Sequence, residues 1–206
     1  MLKLYVAPGT CALASHITLA ETGADYAVEK VDFRTNQQNS PGYLAINPKG
    51  RVPALATEHG VLTETPAMLA YLAQRFPKAQ LAPIDDLFAF AEVQSFNSYL
   101  CSTVHVAHAH KMRGHRWASD ESSFADMKRK VPETMSACFS LIEQKMLRGP
   151  WVMGERYTIC DPYLFIIAQW LEGDSVDIDS FPKVADHFKR MSARPAVQKA
   201  FAELAA

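Results

Sequence analysis

Four groups of residues in this sequence have side chains and spacings able to do chemistry. Cys11 follows Pro8-Gly9-Thr10, a turn between a strand-like run and a helical one. A cysteine at a helix start meets free N–H groups and the positive end of the helix dipole, which favour the nucleophilic thiolate. Three residues on stands Ala14, so a mixed disulfide at Cys11 has no resolving thiol within the motif and would need an external one. Val52-Pro53 enters a third strand-like run, where a proline must avoid a ladder position. If the bond were cis, the Val52 N–H and C=O would be left free to pair with an extended ligand, but the sequence alone favours trans. Glu64-Thr65-Pro66 reads as a helix start with Thr65 as N-cap and Pro66 as first helical residue. Hydroxyl and amide donors beside the Glu64 carboxylate suit an amino acid's carboxylate and ammonium. His105, His108, His110 and His115 form the fourth group. His105 and His108 are neighbours on a helix, and no H-E-x-x-H motif accompanies them. One histidine facing the first half, with the others solvated, is the reading preferred to a metal site.

These residues need elements to hold them. Leu2–Ala7 alternates like a strand. A helix follows from Cys11 and stops at Gly23, and Tyr26–Val31 reads as a second strand. Residues 34–42 are a loop that ends in a short helical turn. Val52–Ala56 and Val61–Thr63 form a hairpin about Glu58-His59-Gly60. The order β-α-β then β-β-α predicts a small α/β sandwich over residues 1–77. Residues 78–84 form a linker. Residues 85–206 read as an all-helical domain, with long helices over about 85–111 and 123–146. Thr158-Ile159-Cys160-Asp161 fits a capping box, and the apolar run Tyr163–Ala168 behind it reads as the centre of the bundle. Phe88, Phe96, Tyr99 and Trp170 read as core.

Composition narrows the classes. The 206 residues carry 21 Lys and Arg against 22 Asp and Glu, a net charge of −1, which argues against a nucleic-acid binder or a polybasic membrane surface. No stretch approaches the ~18 apolar residues of a membrane span, and no signal-peptide run precedes Pro8-Gly9. Cys11, Cys101, Cys138 and Cys160 lie far apart without zinc spacing, so a reducing, cytoplasmic setting is expected.

Several strings together resemble the bacterial beta-class glutathione transferases. They are Lys3-Leu4-Tyr5 through Pro8-Gly9-Thr10-Cys11 to Ile17, Asn47-Pro48-Lys49-Gly50-Arg51-Val52-Pro53-Ala54-Leu55, Leu62-Thr63-Glu64, Thr158–Asp161 and Arg194-Pro195. The likeness keeps its order over nearly the whole chain. It implies a thioredoxin-like N-terminal domain, an all-α C-terminal domain and a homodimer. It implies that Cys11 contacts the glutathione sulfur, with His105 nearby. Pro53 would be a cis-proline that turns the Val52 backbone to the cysteinyl part of glutathione, reversing the trans preference. Glu64 and Thr65 would hold the γ-glutamyl end, Arg34 would stand in for a lysine near the glycine carboxylate, and Ser98 and Ser102 would supply polar contacts. The family's lysine after His105 is replaced by Val106, so the second-substrate wall is expected to be more apolar or differently charged. The activity implied is conjugation of glutathione to a small hydrophobic electrophile, without a metal. Glutathione-dependent thiol–disulfide exchange at Cys11 and a non-catalytic binding or regulatory role remain the alternatives.

Overall fold

The structure, a computed structural model, describes residues 1–205. Its first half is one four-stranded sheet in the order β2-β1-β3-β4. β1 (Leu2–Val6) lies parallel to β2 (Tyr26–Lys30), with Leu4 opposite Val28. On its other side it pairs antiparallel with β3 (Ala54–Thr57), Leu4 opposite Leu55, and β3 pairs with β4 (Gly60–Thr63), Leu55 opposite Leu62. Leu4 and Leu55 are fully buried, as the alternation requires. β3 starts two residues later than the sequence reading placed it. Val52 and Pro53 precede the ladder, and the bond between them is cis.

Helix α1 (Ala12–Thr22) has two faces to cover. Ala12 and Leu19 pack on the sheet core, whereas Leu13, Ala14 and Ile17 belong to the core of the helical half. All residues from Ala12 to Leu19 are buried, polar Ser15, His16 and Thr18 included, so this helix has no solvated face to show a strong amphipathic pattern. Gly23 at φ +68° ends it. After α2 (Pro41–Leu44), helix α3 (Thr65–Arg75) completes the first half. Its cap corrects the sequence reading: Glu64, at φ +72°, is the N-cap, and Thr65 is already the first helical residue.

The helical half begins with α4 (Leu87–Tyr99) and continues through a π-helical turn at Leu100–Val104 into α5 (His105–Arg113). The single long helix expected over 85–111 is therefore one rod with a wide turn inside it. α6 (Glu121–Leu141) likewise ends in a π turn at Ile142–Met146. α7 (Cys160–Ala168) is buried along its whole length, as its apolar run predicts. Asp161 in its first turn is fully buried and accepts from the N–H groups of Val152 (2.8 Å) and Thr158 (2.6 Å), from the Thr158 hydroxyl (3.3 Å), and pairs with His187 Nε2 at 3.0 Å. α8 (Trp170–Gly173), α9 (Pro182–Ser192) and α10 (Pro195–Ala205) follow. α10 returns to the first half, where Glu203 accepts from the Tyr26 hydroxyl at 2.9 Å and pairs with His16 Nε2 at 2.6 Å.

One of the four aromatic residues read as core is not. Phe88 is 77% exposed, beside Leu87 at 85%. A helical apolar pattern shows which side chains share a face, not whether the fold covers that face. Phe96 is buried, Tyr99 and Trp170 pack partly against the core, and Trp170 also lines a cavity between the two halves.

Candidate active site

The cavity between the two halves has a volume of about 510 Å³. That is within the range of small-molecule sites, roughly 300–1,000 Å³. One wall is built from the first half by Thr10, Cys11, Arg51, Val52, Glu64 and Thr65, and the other by His105, His108, Arg113, Arg116, Trp117 and Trp170.

The first wall is shaped by backbone. The turn Asn47-Pro48-Lys49-Gly50 is pinned by buried Asn47, whose Nδ2 donates to the Arg51 C=O (2.6 Å) and whose Oδ1 accepts from the Lys49 N–H (3.2 Å). The Tyr43 hydroxyl donates to the same Arg51 C=O at 2.8 Å. Gly50 holds φ +59°, and a Cβ there would stand 2.8 Å from Asn39 Oδ1 and 3.2 Å from the Gln38 C=O, so only glycine fits. The next residue but one, Val52, presents its C=O to the Cys11 thiol, which donates to it over 3.9 Å. Glu64 in its unusual backbone conformation reaches the same wall. A residue other than glycine in a sparsely populated region costs on the order of 1–3 kcal/mol, so the surrounding contacts must hold it there. Lys49 Nζ donates to one Glu64 carboxylate oxygen at 2.5 Å and to Thr63 Oγ1 at 2.7 Å.

Cys11 is the N-cap of α1, and here the structure changes the chemistry expected from the sequence. The following amides are already engaged: Ala12 N–H by Thr10 Oγ1 (3.4 Å), Leu13 N–H by the Thr10 C=O and Ala14 N–H by the Cys11 C=O, both at 3.1 Å. Burial pushes the Cys11 thiol up from its ordinary value. The Thr65 hydroxyl and the Arg113 charge pull it back in part, and the Cys11 N–H adds a smaller pull. The net direction is upward, so Cys11 keeps its proton at neutral pH.

The second wall is made of side chains. His105 is held at about 4, first by burial, then by the positive charges of Arg113 and neighbouring groups, so its imidazole is neutral at pH 7. His108 lies beside it with ring centroids 6.5 Å apart, and its Nδ1 pairs with buried Asp174 at 2.7 Å. Two histidines therefore reach the cavity, where the sequence reading had one. His110 packs on Trp117 instead (4.5 Å), and His115 is exposed. Trp170 stacks on His108 at 4.2 Å and donates from Nε1 to the Gly9 C=O at 3.0 Å, joining the two walls. Among the described residues no three His, Cys, Asp or Glu side chains are grouped to hold a metal ion.

The cavity brings together Cys11, Val52, Pro53, Glu64, Thr65 and His105. Three other expected residues lie outside its lining. Arg34 is 92% exposed at its side chain and pairs with Asp32. Ser98 and Ser102 are exposed, and the Ser102 hydroxyl donates to the Ser98 C=O at 2.8 Å. Their neighbour Cys101, inside the π turn, faces the cavity instead. Sequence reasoning missed Cys101, Arg51, Arg113 and Arg116. The basic pair Arg113 and Arg116, spaced i, i+3 beside Trp117, was the one signal that could have been weighed.

Comparison with known proteins agrees with this architecture. The family described as Glutathione S-transferase, N-terminal domain, matches residues 1–74, and Glutathione S-transferase, C-terminal domain, matches 105–195. Glutathione S-transferase GstA of Escherichia coli O157:H7 is 32% identical over 202 residues, 97% of this chain and 96% of that protein. A crystal structure of a glutathione transferase homolog from Sulfitobacter, with bound glutathione, is 50% identical, with a TM-score of 0.96 and 98% of each chain covered. The bacterial beta class glutathione S-transferase of Sphingomonas chungbukensis is 32% identical, with a TM-score of 0.85 over 98% of each chain. With family models matched in both halves and the fold shared over nearly the whole chain, the chain belongs to the glutathione S-transferase family and is similar to the bacterial beta class.

Proposed function

We propose that the cavity binds glutathione along its first wall and directs the thiolate at an electrophile held by the second. The chain is a glutathione transferase, and glutathione is its cosubstrate. The observation that supports the assignment of residues is the convergence of Cys11, the Val52 backbone, Glu64 with Thr65, and neutral His105 on one cavity. Val52 lies outside the sheet ladder, so its N–H suits a peptide group of the cysteinyl unit, and its C=O does too once the Cys11 thiol turns from it to the glutathione sulfur. Glu64 suits the γ-glutamyl ammonium. A thiol that keeps its proton serves as donor: Cys11 gives its S–H to the glutathione sulfur and stabilises the thiolate there. His105, neutral and facing the same space, is placed to take the thiol proton. The thiolate then forms a C–S bond to the electrophilic carbon, and the leaving group departs with the bonding pair.

A second reading, thiol–disulfide exchange, is favoured by Cys101, which lines the same cavity as Cys11. Cys11→Ala separates the two. Conjugation of glutathione to 1-chloro-2,4-dinitrobenzene should fall by less than about tenfold, the worth of one hydrogen bond. Reduction of a glutathionylated disulfide should disappear if Cys11 is the nucleophile. Loss of conjugation to background would overturn the donor role.

Assembly and setting complete the proposal. We divide the chain into residues 1–77, a linker 78–84, and 85–206. Leu87 and Phe88, exposed side by side at the start of α4, support a homodimer, which light scattering of the purified chain tests. The four free thiols support a reducing, cytoplasmic setting, and among the described residues no helix is long and apolar enough to cross a membrane.

A further inference from the structure

The charge of the second wall says what kind of electrophile it holds. Arg113 is the last residue of α5, and Arg116 ends the short turn that comes after it. Both line the cavity, as does Arg51 from the opposite side. Among the described residues none of these three guanidinium groups has a carboxylate within 4.0 Å, and none donates a side-chain hydrogen bond to the protein. The one acidic residue in the lining, Glu64, is already paired with Lys49. Asp174 lies buried behind His108, with Lys111 Nζ 3.5 Å away, and offers nothing to the arginines. His105 is neutral and adds no negative charge. The cavity therefore holds three unmet positive charges.

Glutathione accounts for part of that surplus. Arg51 belongs to the pinned turn of the first wall, next to Val52, and is the guanidinium best placed for a carboxylate of glutathione. Arg113 and Arg116 are on the other wall, with Trp117 and Trp170. Guanidinium groups three residues apart on one helical face repel each other when no carboxylate lies between them. An anion between them removes that repulsion and satisfies donors suited to bidentate carboxylate recognition. Arg113 and Cys11 line the same cavity, so this charge shares the space in which the glutathione sulfur would react. Aromatic surface beside it suits a ring.

We propose that the second substrate is an anionic electrophile, an aryl or other unsaturated carboxylate, whose carboxylate is held by Arg113 and Arg116 while its ring lies against Trp117 and Trp170. This replaces the small hydrophobic electrophile expected from family resemblance, and it rests on the reading of the cavity as a conjugation site.

The test uses the full chain, wild type and Arg113→Gln/Arg116→Gln, with glutathione saturating. The substrates are 4-chloro-3-nitrobenzoate and its methyl ester. In each, sulfur bonds to the ring carbon, chloride leaves with the bonding pair, and the thiol proton passes by way of His105 to buffer. Each kcat/KM is divided by its uncatalysed rate constant. The wild type should favour the carboxylate over the ester by about tenfold or more, and the double variant should lower that ratio by about fivefold or more. A wild-type ratio near one, or a smaller change in the variant, overturns the proposal. So does a parallel series at varied glutathione in which the variant changes only the KM for glutathione, which would assign both arginines to the tripeptide. If neither substrate turns over, conjugation of such electrophiles fails, yet the anion site is still decided. With glutathione present, the affinity ratio of anionic 8-anilinonaphthalene-1-sulfonate to neutral N-phenyl-1-naphthylamine should fall about fivefold or more in the variant, and a smaller fall overturns it. Should the double variant not fold by circular dichroism, Arg116→Gln alone, at an exposed residue, takes its place in both assays.

Discussion

The two walls of the cavity are built by different means. On the first, position is set by backbone: a turn pinned by Asn47, a glycine with no room for a Cβ, a cis bond before β3, and Glu64 at positive φ. On the second, position is set by packing. Side chains of α5 and α8 reach the cavity because a buried bundle holds those helices, and because a π turn precedes His105. A backbone wall can present N–H and C=O groups to a peptide-like molecule without depending on side-chain identity. A packed wall can change its substrate by exchanging one arginine or tryptophan. On the proposed function, the constant partner lies on the first wall and the variable one on the second.

If the second wall depends on the bundle, the largest effect should come from the bundle's buried carboxylate. Asp161→Ala leaves the Val152 and Thr158 amides and His187 without their acceptor inside the protein. Removing one member of such a buried network costs about 3–5 kcal/mol. Urea unfolding should show that loss, and a change below ~1 kcal/mol would mean that water replaces the carboxylate. The first wall has its own weak point in Gly50. Gly50→Ala must adopt a disfavoured φ and push aside Asn39 and the Gln38 backbone, at a cost of about 1–3 kcal/mol. The KM for glutathione should rise while the binding of an apolar probe to the second wall stays as it was. Equal loss on both walls would show that they are one unit.

A smaller effect comes from His105. Its imidazole takes a proton only near pH 4 in the folded chain, because burial and then Arg113 oppose the charge, whereas the unfolded chain takes it near the ordinary 6.5. Between those values the unfolded state binds more protons, so stability is fully present above about 6.5 and declines as pH falls toward 4. His105→Gln should flatten part of that decline in unfolding measured between pH 4 and 7. His16, also held low by burial, keeps the remainder. An unchanged slope would mean that the folded chain protonates His105 as readily as water does.

How far each wall was legible in the sequence depends on how it is built. Turn residues and prolines speak for the backbone, so Asn47–Gly50, Gly23 and the strand alternation of Leu2–Val6 located the first half closely. The resemblance supplied the cis bond that the residues alone argued against. Thr65 was placed one position too early because Ser and Thr usually cap, and only the positive φ of Glu64 reveals a cap without a side-chain bond. The second wall was harder. A straight helix from 85 to 111 misses the extra residue of the π turn, which rotates the rest of the rod by roughly a quarter turn or more. Cys101 within that turn and His108 beyond it reach the cavity, while Ser98 and Ser102, expected from the resemblance alone, face water. Arg113 and Arg116 lie at a helix end, where no periodicity says which way a side chain turns.

The smallest effect is the most direct probe of how the walls are joined. Trp170 on the second wall donates from Nε1 to the C=O of Gly9, in the turn that leads to Cys11. Trp170→Phe keeps an aromatic ring to stack on His108 and removes that donor. A partly exposed neutral hydrogen bond contributes about 0.5–1.5 kcal/mol, and the freed carbonyl can be met by water, so the lower end applies. For a chain of this size that is a fall of about 1–2 °C in Tm. The informative readout is kinetic. If the bond holds the Cys11 turn against the second wall, kcat should drop while the KM for glutathione holds, since the thiolate and the electrophile are each still bound but less well aligned. If both constants are unchanged, the two walls are aligned by α1 and its contacts with α7 and α10 alone, and the tryptophan serves only as a surface for the ring of the substrate.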